Sequence, residues 1–547
     1  MNEISNFIKT IMENDLKSGK VDAIKTRFPP EPSAYLHLGH ARAIVTNFEL
    51  ARLFGGKTNL RFDDTNPTTE ESEFVEAIIE DIKWLGYEPD GIYFGSDYFE
   101  KSYQYALLLI KKGLAYVDDL SAEEISEYRG TLGQPGRPSP YRDRGVEENL
   151  RLFEEMRQGK YEEGEKVLRA KIDMSHPNMN MRDPVLYRII KAPHHRQGTK
   201  WVIYPMYDFA HPLQDAIEGI THSLCSIEFE NHRILYDWVV ENCETEHKPQ
   251  QIEFGRLNIT NMSSLMSKRY LKRLVEAGVV VGYDDPRLPT LVAMKRRGYT
   301  PEAIKKFILA TGLSRINSTV SIEMLEHFLR EDLKLKTKRI MAVQNPLKVV
   351  ITNYPEGKTE YLTVPNNVET EELGAREVPF SKRLYINRDD FCLTKPNKHY
   401  KRLAIGLEVR LFHAYIIKAE KAILDEDGNI VEVHCAYDPE TKSGSAQAGR
   451  KVNGIIHFVE ATTALPAKFN LFEPLVIDNP DDKRDLLERI NPDSWIVTEG
   501  FVENSGIDFN VAERFQFIRD GYYVVDKESK PGALVFNQIV PLKSKYK

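Results

Sequence analysis

Two repeating patterns of apolar residues divide the chain at about residue 339. In the first part, short apolar runs that predict strands alternate with longer segments whose apolar residues recur every three or four positions, which predicts helices. Residues 25–28 and 58–64 are the first predicted strands, and residues 36–54 and 69–85 are the helices that follow them. Strands that alternate with helices favour an open parallel sheet with helices on its faces.

This alternation is interrupted and then resumes. From about residue 99 helical segments surround a stretch rich in Gly, Pro and Arg, and a strand pattern returns at residues 200–205 and in the run 207–229. The interruption predicts a nucleotide-binding fold that carries an insertion. Residues 257–335 are predicted to be helical, with amphipathic segments at 301–310 and 321–335.

After Arg339 the pattern changes to short alternating β segments with Asn-Gly, Asp-Gly and Pro between them. This punctuation is typical of β-barrels. The predicted strand segments are 347–354, 360–364, 404–419, 429–437, 452–459 and 514–525.

Composition limits the class of protein. A chain of 547 residues with 41% hydrophobic content can form three or more domains, and it holds no run of about 18 apolar residues that could cross a membrane. Its net charge of −8 argues against a nonspecific nucleic-acid coat but allows a local basic face. The four cysteines stand far apart without a CxxC pair, which predicts neither a zinc site nor a disulfide framework and favours the cytoplasm. Residues 1–24 are expected to form a surface helix rather than a signal peptide.

The most informative motif is His37-Leu38-Gly39-His40, after a Pro-Pro-Glu-Pro turn that can continue neither strand nor helix. Both histidines are placed at a helix N-terminus, which favours phosphate, and Gly39 would let a flat adenosine approach the backbone. About 230 residues later, Met266-Ser267-Lys268-Arg269 offers a mobile cation on a loop that could close over pyrophosphate. Together they predict nucleotidyl transfer. Taken singly, HxGH could hold ordinary polar residues and MSKR could be a solvated loop.

The predicted strand 58–64 ends in Asp63 and Asp64. Ligands of open parallel sheets gather at the carboxyl ends of strands, so these carboxylates are placed to bind a substrate ammonium group. A turn or a helix cap is the competing interpretation.

Two cationic stretches suggest RNA. Residues 129–144 are rich in Gly, Pro and Arg, and an exposed flexible loop is the alternative interpretation. Residues 381–410 carry eight Lys or Arg against three acids, a local charge of +5, with Tyr385, Phe391 and Tyr400 interleaved. Cations beside stackable rings suit unpaired RNA bases, although a solvated barrel rim would also account for them.

A resemblance to a known family extends over essentially the whole chain. The runs TRFPPEPSAYLHLGHARA, LRFDDTNP, RGTLGQPG, SPYRDR, YPMYDFAHPLQDAIEGITHSLCSIEF, MSKR, DDPRLPT, GRKVNGIIHFVEA and FQFIRDGYY resemble the bacterial glutaminyl-tRNA synthetases, which are class I aminoacyl-tRNA synthetases. The resemblance implies an α/β Rossmann-type catalytic domain with an acceptor-stem insertion, a helical subdomain and two C-terminal anticodon-binding β-barrels. The expected boundaries are 1–24 (N-terminal helix), 25–98 and 207–256 (catalytic halves), 99–206 (insertion), 257–338 (MSKR loop and helical subdomain) and 339–547 (barrels).

The resemblance also implies the reaction and its residues. ATP, accompanied by Mg²⁺, and L-glutamine would form glutaminyl-adenylate, and the acyl group would pass to tRNA-Gln; a monomer without zinc is expected. The implied catalytic residues are His37, His40 and Lys268. Implied ATP-binding residues are Glu31, Pro32, His37, Gly39, His40, Arg256, Leu257, Met266, Ser267 and Lys268; glutamine-binding residues are Arg27, Asp63, Tyr207, His211 and Gln251. Implied tRNA-binding residues are Leu132, Asn231, Arg339, Lys401, Arg402, Arg410, Gln516 and Arg519, and no protein metal ligands are implied.

Two alternatives and two departures accompany this prediction. A glutamyl-tRNA synthetase of the archaeal-like branch would share the ATP motifs and the barrels, and a non-catalytic tRNA-binding paralogue would lack the catalytic set, which is present. Residues 259–265 are two longer than the family pattern before MSKR. Asn231 stands where the family has aspartate, so it could bond a guanine amino group only without charge assistance.

Overall fold

A computed structural model describes residues 6–68, 72–477, 479 and 481–543. The chain divides into two units. Unit 1 is Met1–Ile259 with Ile308–Val320, and unit 2 is Thr260–Phe307 with Ser321–Lys547.

The helices follow the amphipathic pattern closely. The helix predicted at 36–54 runs over Leu38–Leu53, the one predicted at 301–310 has those bounds, and the one at 321–335 is shifted by one residue. The helix predicted at 69–85 covers Ser72–Trp84; its first predicted turn lies outside the described residues. In chain order the helices are α1 Phe7–Lys17, α2 Leu38–Leu53, α3 Ser72–Trp84, α4 Phe99–Lys111, α5 Ala122–Arg129, α6 Val146–Arg157, α7 Tyr207–Ile217, α8 Arg233–Asn242, α9 Lys268–Glu276, α10 Leu291–Arg296, α11 Pro301–Ala310 and α12 Ile322–Lys336.

Unit 1 consists of parallel strands, with a separate antiparallel sheet inserted between them along the chain. Strands β1 Lys25–Phe28, β2 Lys57–Phe62 and β3 Gly91–Phe94 form a parallel sheet in that order. Strands β4 Ala115–Asp118, β5 Val167–Ala170, β6 Val185–Ile189 and β7 Ile203–Pro205 form an antiparallel sheet. Strands β8 His222–Ser226 and β9 Gln250–Phe254 pair in parallel, as do β10 Leu257–Ile259 and β11 Ser318–Val320.

The antiparallel sheet is an insertion into the parallel part of the unit, since the chain returns after it to place β8 beside β1. The amide of Thr221 donates to the carbonyl of Lys25 at 2.9 Å, which starts β8 along β1. Leu50 and Ala51 of α2, Leu224 of β8 and Ile252 of β9 pack in one buried cluster. The carboxyl ends of β1, β2 and β8 therefore open toward one edge, where binding groups gather in such folds.

Two predictions for this part of the chain are wrong in detail. The run 207–229 was predicted as sheet, but its first eleven residues are helix α7, because Phe209, Ala210 and Leu213 recur at helical spacing on a buried face. Residues 257–335 were predicted to be helical, yet Leu257–Ile259 and Ser318–Val320 pair as strands. Strand partners 61 positions apart, such as Leu257 and Ser318, cannot be detected from local periodicity.

Unit 2 holds the barrels. Its strands in chain order are β12 Lys338–Ile340, β13 Ala342–Val343, β14 Pro346–Ile351, β15 Glu360–Pro365, β16 Ala375–Phe380, β17 Arg383–Asn387, β18 Phe391–Cys392, β19 Leu403–Ala404, β20 Glu408–Leu411, β21 Ile416–Leu424, β22 Ile430–Asp438, β23 Ile455–Ile456, β24 Val459–Glu460, β25 Leu465–Phe472, β26 Trp495–Val502, β27 Arg514–Phe517, β28 Gly521–Val525 and β29 Leu534–Pro541. One sheet has the order β23-β20-β21-β22-β14-β17-β24 and the other β12-β27-β28-β29-β25-β26-β13.

Each of these sheets encloses its own core. Val349, Ile386, Val433 and Phe458 are among the buried residues of the first, and Phe469, Phe517 and Phe536 among those of the second. The predicted segments 404–419 and 514–525 each contain a hairpin rather than one strand, and 452–459 contains only the two-residue strand β23 and the first residue of β24.

Candidate functional site

The HxGH segment forms the start of helix α2. His37 is the N-cap residue: its Nδ1 accepts from the amide of Gly39 at 3.1 Å, and its own amide donates to Nδ1 of His40 at 3.1 Å. The two imidazole rings stack with centroids 3.9 Å apart. The histidines thus cap the helix that the sequence placed at a phosphate site, a role normally filled by Ser, Thr, Asp or Asn.

Both histidines are neutral at physiological pH. Burial, reinforced by His40 and Arg256, lowers the pKa of His37 to about 2, and burial lowers the pKa of His40 to about 4. Neutral rings with Nδ1 atoms committed to backbone amides leave the Nε2 N–H groups as donors for a phosphate oxygen.

We expect this depressed pKa to make unit 1 sensitive to acid. An unfolded histidine binds a proton near pH 6.5 and the folded one does not, so stability falls as the pH drops below about 6.5. In His40→Gln, the loss of unfolding free energy between pH 7.5 and 5.5 should be about 1 kcal/mol smaller than in the wild type. Urea unfolding at both pH values checks this, with His247→Gln, an exposed histidine of the same unit, as the control. An unchanged pH dependence in His40→Gln would contradict it.

The remaining predicted ATP residues of unit 1 differ in exposure. Glu31 is exposed and Pro32 buried in the turn before α2, and Leu257 is buried at the start of β10. The guanidinium of Arg256 is exposed and pairs with Glu228, while its amide donates to the Asn317 side chain at 2.8 Å.

The MSKR segment corrects one prediction. Lys268 was expected on a loop, but it is the first residue of helix α9, because Leu271 and Leu274 of that segment are buried in a cluster with Leu475, Val476 and Leu486 of the same unit. Ser267 provides no side-chain cap, and the first turn of α9 holds cations and no acid. Cations at the positive end of a helix are unfavourable unless an anion binds there, so this end is suited to a polyanion.

A cluster of polar and aromatic side chains lies at the end of β2, beside helix α7. Asp63 accepts from Nε2 of His211 and from the Thr65 hydroxyl, each at 2.9 Å. Burial opposes ionisation of Asp63, but His211 and Thr65 outweigh it and lower its pKa to about 2. Asp63 is therefore a carboxylate, which suits a substrate ammonium group.

Tyr207 packs against the same cluster. Its ring lies 4.1 Å from that of His211 and 5.0 Å from that of Phe229. Burial raises the pKa of Tyr207, so the phenol stays protonated. Among the described residues its hydroxyl has no hydrogen-bond partner and is free to donate and accept.

Arg27 and Gln251 are both buried. Arg27 is 2% exposed; its Nε lies 2.9 Å from Asp215, and it also donates to the Ser223 hydroxyl at 2.7 Å. Gln251 donates through Nε2 to the carbonyl of Phe229 and to Glu253, each at 3.0 Å.

A buried charge network beside this cluster was not predicted from the sequence. Arg61 lies 2.8 Å from Asp215 and 3.3 Å from Glu218, and all three side chains are at most 2% exposed. Asp215 also accepts from Arg27 and from the hydroxyls of Ser223 and Tyr236. The sequence held a signal: the polar residues His211, Asp215 and Glu218 recur at helical spacing beside apolar neighbours.

The loop around Leu132 is better ordered than a flexible loop would be. Arg182 is 2% exposed and donates to the carbonyls of Arg129, Thr131 and Gln134 at 2.8–2.9 Å. Gly130 has φ +73° and a Cβ there would meet Gln134 O at 2.7 Å, so only glycine fits. The side chain of Leu132 is left 83% exposed.

Asn231 is exposed, and its carbonyl accepts from the side chains of Asn178 and Asn180 at 2.7 and 3.1 Å. Its side-chain amide makes no hydrogen bond to the described residues of unit 1, so it is compatible with an external partner.

Three predicted tRNA residues meet in unit 2. Lys401, Arg402 and Arg519 line a pocket of about 500 Å³ together with Asn397, His399, Tyr400 and Ile455. Buried Asp390 orients two of the cations: it accepts two bonds from Arg519 at 2.7 and 2.8 Å and lies 3.4 Å from Arg402. Sequence reasoning counted Asp390 only as a local acid.

The other three predicted tRNA residues of this unit lie elsewhere. Arg339 and Gln516 are register neighbours on β12 and β27, and Arg339 pairs with Glu369 at 2.7 Å. The guanidinium of Arg410 donates to the carbonyls of Ala414, Thr441 and Ala448, so it is engaged with its own barrel.

One group of side chains among the described residues has metal-ligand spacing. Asp64, His194 and His195 bring ligand atoms within 4.8 Å of one another. Nε2 of His194 bonds the carbonyl of Asp64 at 2.6 Å and its Nδ1 accepts from the amides of Arg196 and Gln197, so both ring nitrogens are used. The group holds the Asp64 turn in place.

In the part of the chain that the structure describes, no helix is both long and apolar enough to cross a membrane.

Comparison with known proteins identifies the class. The profile of the class I (E and Q) tRNA synthetase catalytic domain matches residues 23–335, and the two anticodon-binding profiles of the same class match 337–438 and 455–526. The sheet topology and these matches confirm the predicted fold class: a class I catalytic domain followed by two barrel-like anticodon-binding domains.

Relatives narrow the class to a family. The chain is 56% identical to the glutamine–tRNA ligase of Clostridium kluyveri over 100% of this chain and 98% of that protein, and 57% identical to that of Clostridium perfringens over 99% and 98%. The ligase of Proteus mirabilis is 51% identical over 98% and 97%. The chain belongs to the glutamine–tRNA ligase family, as its motifs predicted. A crystallised glutamate tRNA ligase from Elizabethkingia meningosepticum is 19% identical, with a TM-score of 0.42 over 57% of this chain and 70% of that one.

Proposed function

We propose that this enzyme joins L-glutamine to tRNA-Gln in two steps. A carboxylate oxygen of glutamine attacks the α-phosphorus of ATP, which enters as its Mg²⁺ complex, and the bond to pyrophosphate breaks. A hydroxyl of the terminal adenosine of tRNA then attacks the carbonyl of glutaminyl-adenylate, and AMP leaves. The relatives at 51–57% identity are glutamine–tRNA ligases, which favours glutamine over the glutamyl alternative.

For adenylate formation we assign positioning and charge stabilisation to the two motifs. His37 and His40, as neutral N–H donors at the start of α2, would bind phosphate oxygens, and Lys268 would stabilise the charge that builds on pyrophosphate. Glu31, Pro32, Gly39, Arg256, Leu257, Met266 and Ser267 are the further proposed ATP contacts. Because Mg²⁺ prefers phosphate oxygens and water, it needs no dedicated protein cage here.

The side chains around Asp63 support glutamine as the substrate through Tyr207. Glutamine and glutamate have side chains of the same shape, so discrimination depends on hydrogen-bond polarity. The protonated and unpaired hydroxyl of Tyr207 can donate to the amide oxygen or accept from the amide nitrogen, and this observation carries the proposal. Asp63 would bind the ammonium group, with Arg27, His211 and Gln251 around the remainder.

Charging assays test the proposal. Transcripts of tRNA-Gln and tRNA-Glu are each incubated with ATP and labelled glutamine or glutamate. Charging of tRNA-Gln with glutamine alone is expected. Transfer of glutamate would move the enzyme to the glutamyl branch, and no transfer of either would favour a non-catalytic paralogue.

We further propose that Leu132 and Asn231 contact the acceptor end of tRNA, that Lys401, Arg402 and Arg519 bind anticodon nucleotides in the 500 Å³ pocket, and that Arg339, Arg410 and Gln516 lie nearby. We also propose that the enzyme is a monomer and works in the cytoplasm.

Arg402→Ala is expected to weaken tRNA recognition. Loss of one oriented cation from the pocket should lower kcat/KM for tRNA-Gln roughly tenfold, about 1.4 kcal/mol, and reduce discrimination among anticodon variants while KM for ATP is unchanged. Steady-state charging at several salt concentrations measures this. Arg383→Ala, an exposed arginine of the same barrel paired with Glu356, is the control. An unaltered preference among anticodon variants would remove Arg402 from the interface.

A further inference from the structure

One face of helix α7 is directed at a single buried arginine on strand β2. His211, Asp215 and Glu218 follow one another at helical spacing, and each has an atom within 3.4 Å of the guanidinium of Arg61. Arg61 and Asp63 are two residues apart, so they share one side of the chain at the end of β2. The imidazole of His211 lies between the two, in contact with both Arg61 and Asp63.

The two nitrogens of His211 have different partners. Nδ1 lies 3.4 Å from a terminal nitrogen of Arg61, and Nε2 lies 2.9 Å from Oδ2 of Asp63. A guanidinium has donors only and cannot accept a hydrogen bond. Nδ1 must then be the acceptor, and the proton of the neutral ring sits on Nε2, where it is donated to Asp63.

We infer that Arg61 is a positioning residue for the amino-acid substrate: it fixes His211 as the Nε2–H tautomer, and this tautomer holds the Asp63 carboxylate in place for the ammonium group. The inference rests on the proposed function and adds a residue outside the predicted glutamine-binding set. The opposite tautomer would turn a lone pair toward the carboxylate and an N–H toward the guanidinium. Asp63 would then lose one of its two side-chain donors and keep only Thr65.

Arg61 is well suited to this role because it cannot move or lose its charge. Its side chain is 0% exposed, Asp215 and Glu218 also pair with its guanidinium, and an arginine remains protonated in proteins. Lysine would retain the charge toward Asp215 but lacks the planar fork that reaches several partners at once.

Kinetics of Arg61→Lys provide the first test. We expect KM for glutamine to rise about tenfold, while KM for ATP and kcat at saturating glutamine stay within about threefold of the wild type. Arg169→Lys is the matched control, because Arg169 is equally buried and paired with Asp118 at 2.7 Å in the antiparallel sheet of the same unit. It should lower the melting temperature and leave KM for glutamine unchanged. Parallel changes of all constants in Arg61→Lys would indicate a merely structural role.

A double-mutant cycle shows whether Arg61 acts through His211. In His211→Gln the amide Nε2 can still donate to Asp63 but has no tautomer to fix. The tenfold effect of Arg61→Lys on KM should therefore disappear in the His211→Gln background. Additive effects of the two substitutions would overturn the inference.

The tautomer can also be observed without altering Arg61, which covers the case that Arg61→Lys does not fold. Long-range ¹⁵N–¹H spectra of histidine-labelled wild-type protein at pH 8, with His211 assigned by comparison with His211→Gln, should show the Nε2–H form. The Nδ1–H form or an imidazolium would refute the inference. If the wild type charges tRNA-Gln with glutamine and these results fail, the inference alone is wrong; if it does not charge glutamine, the proposed function is wrong.

Discussion

Replacing Lys268 by alanine is expected to slow adenylate formation by 10²–10³-fold. The substitution removes a cation from the first turn of α9. Only Arg269 and the backbone amides of that turn then remain to stabilise the developing negative charge. Removing one preorganised electrostatic contact to a transition state typically costs about 3–4 kcal/mol. Pre-steady-state measurement of pyrophosphate release with saturating ATP, glutamine and tRNA gives the rate directly.

Two comparisons isolate this effect. Lys272→Ala removes a cation one turn further along α9, whose side chain is 66% exposed, and should change the rate no more than a few-fold. Affinity of Lys268→Ala for tRNA, measured by filter binding, should be nearly that of the wild type. A large loss of tRNA binding, or an unchanged rate of adenylate formation, would mean that Lys268 has another role.

Asp215→Ala is expected to destabilise unit 1 by about 3–5 kcal/mol. Asp215 is fully buried and shared by Arg27 and Arg61, so its removal leaves two buried guanidinium groups with part of their charge uncompensated. Breaking a buried ion pair from one side has this magnitude because desolvation of the remaining charge is no longer offset. Denaturant unfolding, followed by a probe in unit 1, measures the change.

The pH dependence gives a second signature of Asp215. Burial opposes its ionisation, but Arg27 and Arg61 outweigh burial and hold the pKa of this carboxyl below its usual range. Its stabilising contribution is therefore present above about pH 4, the unfolded value, and is lost as the pH falls toward the lower folded value. Asp208→Ala, on the same helix in a half-exposed pair with His232, should cost less than about 1 kcal/mol. Equal losses of unfolding free energy in Asp215→Ala and Asp208→Ala would contradict the expectation that a buried ion pair is costlier to break than a half-exposed one.

Local sequence was sufficient to predict a secondary-structure element wherever the contacts that determine it are close in the chain. The amphipathic spacing of 301–310 gave helix α11 with its bounds, and the Pro-Pro-Glu-Pro turn placed His37 at a helix start. The failures have a common cause. Strand β10 pairs with the distant β11, and Leu271 and Leu274 of the helix that Lys268 begins pack with Leu475 and Leu486 of a distant segment; no local pattern encodes either contact.

The sequence by itself determined the family, the order of catalytic and barrel segments, and the residue types that chemistry requires, because motifs and periodicities are local properties. Only the tertiary structure decided how those residues act. It made His37 and His40 a neutral stacked cap, joined Arg61, Asp215 and Glu218 in a buried network that reaches Asp63 through His211, and oriented Arg402 and Arg519 through Asp390. Burial and charge pairing set protonation and orientation, and both arise only when segments far apart in the chain are brought together.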